Sequence, residues 1–177
     1  MPSPDTHVGS RAGSVEDPGA LVLLANRTSS RTSATGGPAL PLRDGVRVYF
    51  EGLADAAADR YAQVVASPEE AEVAVLRAAP DRHNRWPADD VDRVLDLAAT
   101  VPTIVVLRLT GPVPVPEFAA DCAAVLVDLG VGDATVAEVV FGRHAPGGHL
   151  PFALPNPDGD ESTTPADGYP AGFGLTY

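Results

Sequence analysis

Apolar positions in this chain fall into short continuous runs, separated by stretches whose apolar residues recur at helical spacing. The first nineteen residues have neither pattern. They are polar and rich in Pro, Gly and Ser, which predicts a loosely packed tail over 1–19 and a folded domain over 20–177. Ala20 to Leu24 is a short apolar run, and the stretch TSSRTSATGGP, Thr28 to Pro38, has the composition of a flexible connector. From Val46 the pattern becomes regular. VRVYF, Val46 to Phe50, reads as a strand ended by Gly52, and Ala54 to Val65 reads as a helix whose last valines could start a short strand. Ser67-Pro68-Glu69-Glu70 has the makings of a helix start: a serine cap, proline in the first turn, then acids at the positive end of the dipole.

The second half repeats the alternation more clearly. Val73 to Leu76 is a buried strand, and Asp89 to Thr100 carries Val91, Val94, Leu95 and Ala98 on one helical face. Thr103 to Leu109 is the strongest strand in the chain, Ala123 to Leu129 is another, and Asp133 is placed to cap a helix from Ala134 to Phe141. Strands alternating with helices predict an α/β fold. The architecture expected is a three-layer sandwich, a mostly parallel sheet of about five or six strands with helices on both faces. Such sheets bind ligands beyond the C-terminal ends of their strands.

A different texture follows in FGRHAPGGHLPFALP, Phe141 to Pro155. Gly142 suits the left-handed position after a helix, Pro146 stops the helix resuming, and Gly147 and Gly148 suit a sharp reversal at positive φ. Pro151 and Pro155 lack backbone donors, so the run should lie at a sheet edge or cross a surface in extended form. It reads as a closing strap.

Composition narrows the partners. The net charge is −12, and all 12 basic residues are arginine. An acidic chain of this kind is not expected to bind nucleic acid or an anionic membrane surface. The lone cysteine, Cys122, sits in an apolar run and reads as a small core residue. The N-terminus has no apolar export segment and no run is long enough to span a membrane, so the chain as given is expected to be cytoplasmic.

The usual catalytic signatures are missing. FEGLADAA after the first regular strand has neither a dinucleotide fingerprint nor a phosphate-binding loop, and there is no G-x-S-x-G elbow. His144 and His149 lie five apart in a Pro-Gly-Gly loop without a third ligand, so no metal or other cofactor is expected. The acids Glu69, Glu70 and Glu72, and Asp89, Asp90 and Asp92, fall where helix first turns are predicted and read as solvated dipole partners.

One loop holds a denser set of functional groups. PDRHNRWP, Pro80 to Pro87, leaves the C-terminal end of the Val73 strand with Asp81, Arg82, His83, Asn84, Arg85 and the only tryptophan, Trp86. An indole beside cationic and hydrogen-bonding groups can stack on the apolar face of a sugar while its neighbours read the hydroxyls. Asp81, Arg82, His83, Arg85 and Trp86 are therefore the candidate substrate-binding residues. The alternative is a surface loop in which Trp86 anchors the next helix.

With these elements in place, several segments carry a resemblance in consistent order. They are LVLLAN at Leu21 to Asn26, LPL at Leu40 to Leu42, AEVAVL at Ala71 to Leu76 and PTIVVLRLTGP at Pro102 to Pro112. The strap supplies Gly142, Pro146, Gly148, Leu150, Pro151, Phe152 and Pro155 in a G-x-x-x-P-x-G-x-L-P-F-x-x-P pattern, and the chain closes on YPAGFGLTY, Tyr169 to Tyr177. Together these resemble the C-terminal α/β-sandwich domain of glycoside hydrolase family 3, the family of many β-glucosidases and β-xylosidases.

The resemblance implies retaining hydrolysis by two carboxyl groups about 5–5.5 Å apart. In the family the nucleophile is an aspartate on a (β/α)₈ barrel, and in many members the acid/base glutamate sits on the loop that corresponds here to PDRHNRWP. That loop has no glutamate, and Asp81 is its only acid. Ala25, His149, Ala171 and Phe173 also depart from the family's usual residues. The expectation is therefore a stand-alone or truncated C-terminal domain of a family 3 β-glycosidase, with no catalytic residue of its own and silent alone, whose partners would be a separate barrel chain and a β-linked sugar. The alternative is a non-catalytic sugar-binding or structural module of the same descent.

Overall fold

A computed structural model of the chain describes residues 17–28, 37–156 and 168–177. Most of the predicted tail and of the predicted connector therefore lies outside the described residues. Among the described residues there are six strands: β1 Leu21–Asn26, β2 Arg47–Glu51, β3 Gln63–Val64, β4 Val73–Ala78, β5 Thr103–Arg108 and β6 Ala124–Asp128. They form one sheet in the order β1-β6-β5-β4-β2-β3. All neighbours run parallel except β1, which lies antiparallel to β6 at one edge.

Two helices, α1 Ala88–Thr100 and α2 Asp133–Val140, cover opposite faces. Strand alternation sends Val48, Val73, Val75, Ile104, Val106 and Leu126 to a core shared with Val136, Val139 and Val140 of α2. The intervening residues Ala74, Leu76, Val105, Leu107, Val125 and Val127 pack with Val94 and Leu97 of α1. Burial on both faces is why the central strands read as unbroken apolar runs. The expected three-layer sandwich is the architecture observed.

The strap runs along the free edge of β1. Gly148 N–H donates to Leu21 O at 3.1 Å, and Leu175 N–H from the closing segment donates to Leu23 O at 2.9 Å. Strap and closing segment also bond each other, Leu150 N–H to Phe173 O at 2.9 Å and Leu154 to Tyr169 in both directions at 2.8 Å. Pro151 and Pro155 fall at positions where no donor is used, and Leu150 and Leu154 are buried against the α1-side core. Gly142 takes the expected left-handed conformation, with φ +72°. Gly147 and Gly148 do not have positive φ. The need at 148 is space, because a Cβ there would stand 2.3 Å from Leu21 O.

Three further expectations change. The helix read over Ala54 to Val65 is a single 3₁₀ turn, Asp55–Ala57, followed by β3. Residues 52–62 must leave the end of β2 and return to the start of a parallel neighbour, and a helix through Val65 would leave nothing for the return. Pro68–Glu70 is likewise one 3₁₀ turn, and the Ser67 side chain caps nothing. Glu72 lies beyond it and binds Arg43, at 2.5 Å, and the Arg47 N–H, at 3.1 Å. At α2 the cap is Gly132, and Asp133 is the first helical residue with its carboxylate turned elsewhere. Among the described residues no helix is long and apolar enough to cross a membrane.

Candidate functional site at the strand ends

Parallel strands β2, β4, β5 and β6 end on the same side of the molecule, and the loops that follow them share that end. Among the described residues, the polar groupings there include one on each face of the sheet.

On the α1 face the loop after β4 folds around Asp81. Its Oδ1 accepts the N–H of His83 at 2.8 Å and of Arg85 at 3.0 Å. The Arg85 guanidinium stands 3.5 Å from the other oxygen. These contacts, the Arg85 N–H first, hold the Asp81 carboxyl below its usual range. Asp81 is therefore kept as a carboxylate that shapes the loop, the opposite of what a general acid needs. Asn84 completes the turn at φ +56°, a conformation asparagine tolerates better than most residues. Arg82 and His83 bond each other at 3.3 Å and are exposed.

Trp86 is fixed differently. Its indole N–H donates to Pro114 O at 2.9 Å, and its ring meets Phe118 edge-on with centroids 5.7 Å apart. Phe118 is fully buried, so the indole is braced from the core. Beside it opens a cavity of about 420 Å³ lined by Arg85, Trp86, Val91, Asp92, Pro114 and Glu117, among others. That volume is in the range of small-molecule sites. Of the five residues singled out from sequence, Arg85 and Trp86 line the cavity, whereas Asp81, Arg82 and His83 do not.

Sequence reasoning missed Asp92 and Glu117. Asp92 looked like one more helix-start acid, and Glu117 belongs to a 3₁₀ turn, Glu117–Ala120, in the loop after β5. The available signal was topological: β5 pairs with β4, so the loops that follow them must be neighbours.

On the α2 face the strand ends carry a charged layer. Arg77 of β4 reaches Asp128 Oδ2 at 3.1 Å and Asp133 Oδ1 at 2.6 Å, and Arg108 of β5 stands 3.6 Å from the same Asp128 oxygen. Asp128 is fully buried, and its Oδ1 accepts the N–H groups of Gly130 and Val131, both at 2.8 Å. Asp133 Oδ2 accepts the Ala54 N–H at 2.9 Å, which ties the loop after β2 to the start of α2. Burial pushes the Asp133 carboxyl up, but the Ala54 N–H and Arg77 outweigh it and leave it below the usual range. Every member of this layer has an ion-pair partner within it, although Arg77 Nε and Nη2 and Asp128 Oδ2 make no hydrogen bond.

Other titratable groups are accounted for by contacts within the fold. Glu51 is held below the usual carboxylate range, chiefly by Arg93, whose Nε donates to it at 2.7 Å. Cys122 is buried with its thiol toward Phe118 O at 3.3 Å, and burial pushes that thiol up to about 12. His144 pairs with Glu138 at 3.6 Å on the surface. No group of three metal-ligating side chains occurs among the described residues.

Comparison with known proteins gives this geometry a context. A family model described as the glycosyl hydrolase family 3 C-terminal domain matches residues 25–177. Beta-glucosidase C of Emericella nidulans is 32% identical over 63% of this chain, and a periplasmic beta-glucosidase/beta-xylosidase of Dickeya chrysanthemi is 27% identical over 89% of it. The chain spans 21% and 27% of the lengths of those two proteins. Among solved structures, a GH3 beta-glucosidase from Bifidobacterium adolescentis superposes with a TM-score of 0.68 at 19% identity, over 90% of this chain and 35% of that one.

Proposed function

The chain belongs to the glycosyl hydrolase family 3 C-terminal domain family, and on that premise we propose that it is the sugar-facing domain of a β-glycosidase. In this reading the strand ends that carry Trp86 face a (β/α)₈ barrel that supplies the nucleophile. Trp86 stacks on a β-linked sugar and Arg85 reads its hydroxyls. Asp81, Arg82 and His83 set the loop's shape and rim.

The observation that carries this reading is the braced indole opening onto a cavity at the end of the sheet where α/β folds bind ligands. The same loop argues that the chain is not catalytic alone. Asp81, its only acid, is held as a carboxylate by its own backbone, and a retaining mechanism needs an acid and a nucleophile together. A second reading, a sugar-binding or structural module without turnover, is favoured by the same occupied carboxylate.

Hydrolysis of aryl β-glucosides and β-xylosides by the purified chain, alone and mixed with a family 3 barrel domain, separates the two. The first reading expects turnover only in the mixture. Turnover by the chain alone would overturn both, and Asp81→Asn would then be the first variant to make.

A further inference from the structure

The cavity beside Trp86 carries charge that the fold does not use. Asp92 comes from α1 and Glu117 from the loop after β5, so two separate elements bring a carboxylate to one opening. Neither has an ion-pair partner among the described residues, whereas the one cation on the lining, Arg85, is already paired with Asp81 at 3.5 Å. Trp86 is held in place by Pro114 and Phe118, so its ring is pre-set and need not be ordered on binding. Val91, Val115 and Pro116 supply apolar surface around it.

An aromatic ring with two unpaired carboxylates is the arrangement that recognises an organic cation. The ring attracts positive charge through its quadrupole, and the carboxylates add a directed Coulomb term. A neutral sugar would use the indole but gain nothing from the two exposed carboxylates. We infer that the cavity takes a sugar bearing a free ammonium group, a β-linked amino sugar, in preference to the neutral sugar of the same shape. This rests on the reading of Trp86 as a sugar platform and adds to it the charge of the ligand. The apolar face of the pyranose would lie on the indole, with the ammonium toward Asp92 and Glu117.

The single tryptophan makes the test direct. Trp86 fluorescence would be titrated with methyl β-D-glucosaminide, methyl β-D-glucoside and methyl N-acetyl-β-D-glucosaminide, in mildly acidic buffer that keeps the amine protonated. The expected result is saturable quenching by all three, with the amine binding about tenfold tighter, a ratio equivalent to about 1.4 kcal/mol. That advantage should shrink toward one in Asp92→Asn and Glu117→Gln and with added salt, the loss of affinity being larger for the amine than for the neutral glucoside. Equal affinity for the amine and the glucoside would overturn the charge inference and leave the sugar platform standing. An unchanged signal with all three would remove the platform itself, and the inference with it. An advantage that survives both substitutions would place the ammonium elsewhere and also contradict the proposal.

Discussion

The two faces of the strand ends use similar residue types to opposite effect. On the α2 side, Arg77, Arg108, Asp128 and Asp133 interlock, and Asp128 has no exposure at all. On the α1 side, Asp92 and Glu117 are exposed and unpaired among the described residues, beside an indole braced by Phe118 and Pro114 O. The difference teaches where to look for function in an α/β sheet. A charge whose partners are all inside the fold holds loops in place, whereas a charge left over beside a rigid ring is available to something outside. The Arg77 layer joins the loop after β2, the end of β6 and the start of α2.

That contrast can be broken most sharply at Asp128. Asp128→Ala leaves two guanidinium groups facing a buried gap and two backbone N–H groups without an acceptor. Loss of one partner from a buried pair costs about 3–5 kcal/mol, so chemical denaturation should show a much lower midpoint. A midpoint unchanged from the parent would mean the layer is not structural.

Asp133 gives a smaller effect with a pH signature. Its folded carboxyl lies below its unfolded value, so its contribution is fully present above the unfolded value. It is lost as pH falls through the folded one, roughly from pH 5 downward. Asp133→Asn should therefore lower stability at neutral pH and flatten the fall in stability on acidification. A parallel displacement of the whole pH curve would show that the carboxylate is not what matters.

On the other face the effects on stability should be modest. Trp86→Phe keeps a ring against Phe118 but loses the hydrogen bond to Pro114 O, a change worth about 1 kcal/mol. Asp92→Asn and Glu117→Gln should fall within about ±0.5 kcal/mol, since neither holds anything together. Thermal melts of these three variants beside Asp128→Ala would grade the two faces directly. A large loss in either carboxylate variant would move that residue into the structural class.

Much of the fold was legible because parallel strands buried on both sides must be apolar without interruption. TIVVLR and AVLVD could be little else once a helix was read before the first and another after the second. The alanine-rich stretch from Ala54 misled because its helix propensity is local, whereas the short return from β2 to β3 is a constraint of topology. The strap was readable as an edge element from its prolines, but the reason for Gly148 was not, because a close approach to Leu21 O leaves no trace in sequence. At the site, Trp86 was conspicuous by composition. Asp92 was hidden because it read as one more first-turn acid beside Asp89 and Asp90, whereas the helix starts at Ala88, and Asp92 lies beyond that turn on the lining of a cavity. Asp128 was hidden by its position, because the end of an apolar run looks the same whether the last carboxylate is exposed or buried.

The most direct measurement is aryl β-glycoside hydrolysis by a family 3 barrel domain complemented with this chain, comparing the parent with Trp86→Ala after thermal melts confirm that the variant is folded. Stacking on one aromatic ring is worth about 1.5 kcal/mol or more, so turnover should appear with the parent and fall about tenfold or further in the variant. Equal turnover with both, or full activity from this chain without the barrel, would contradict the account.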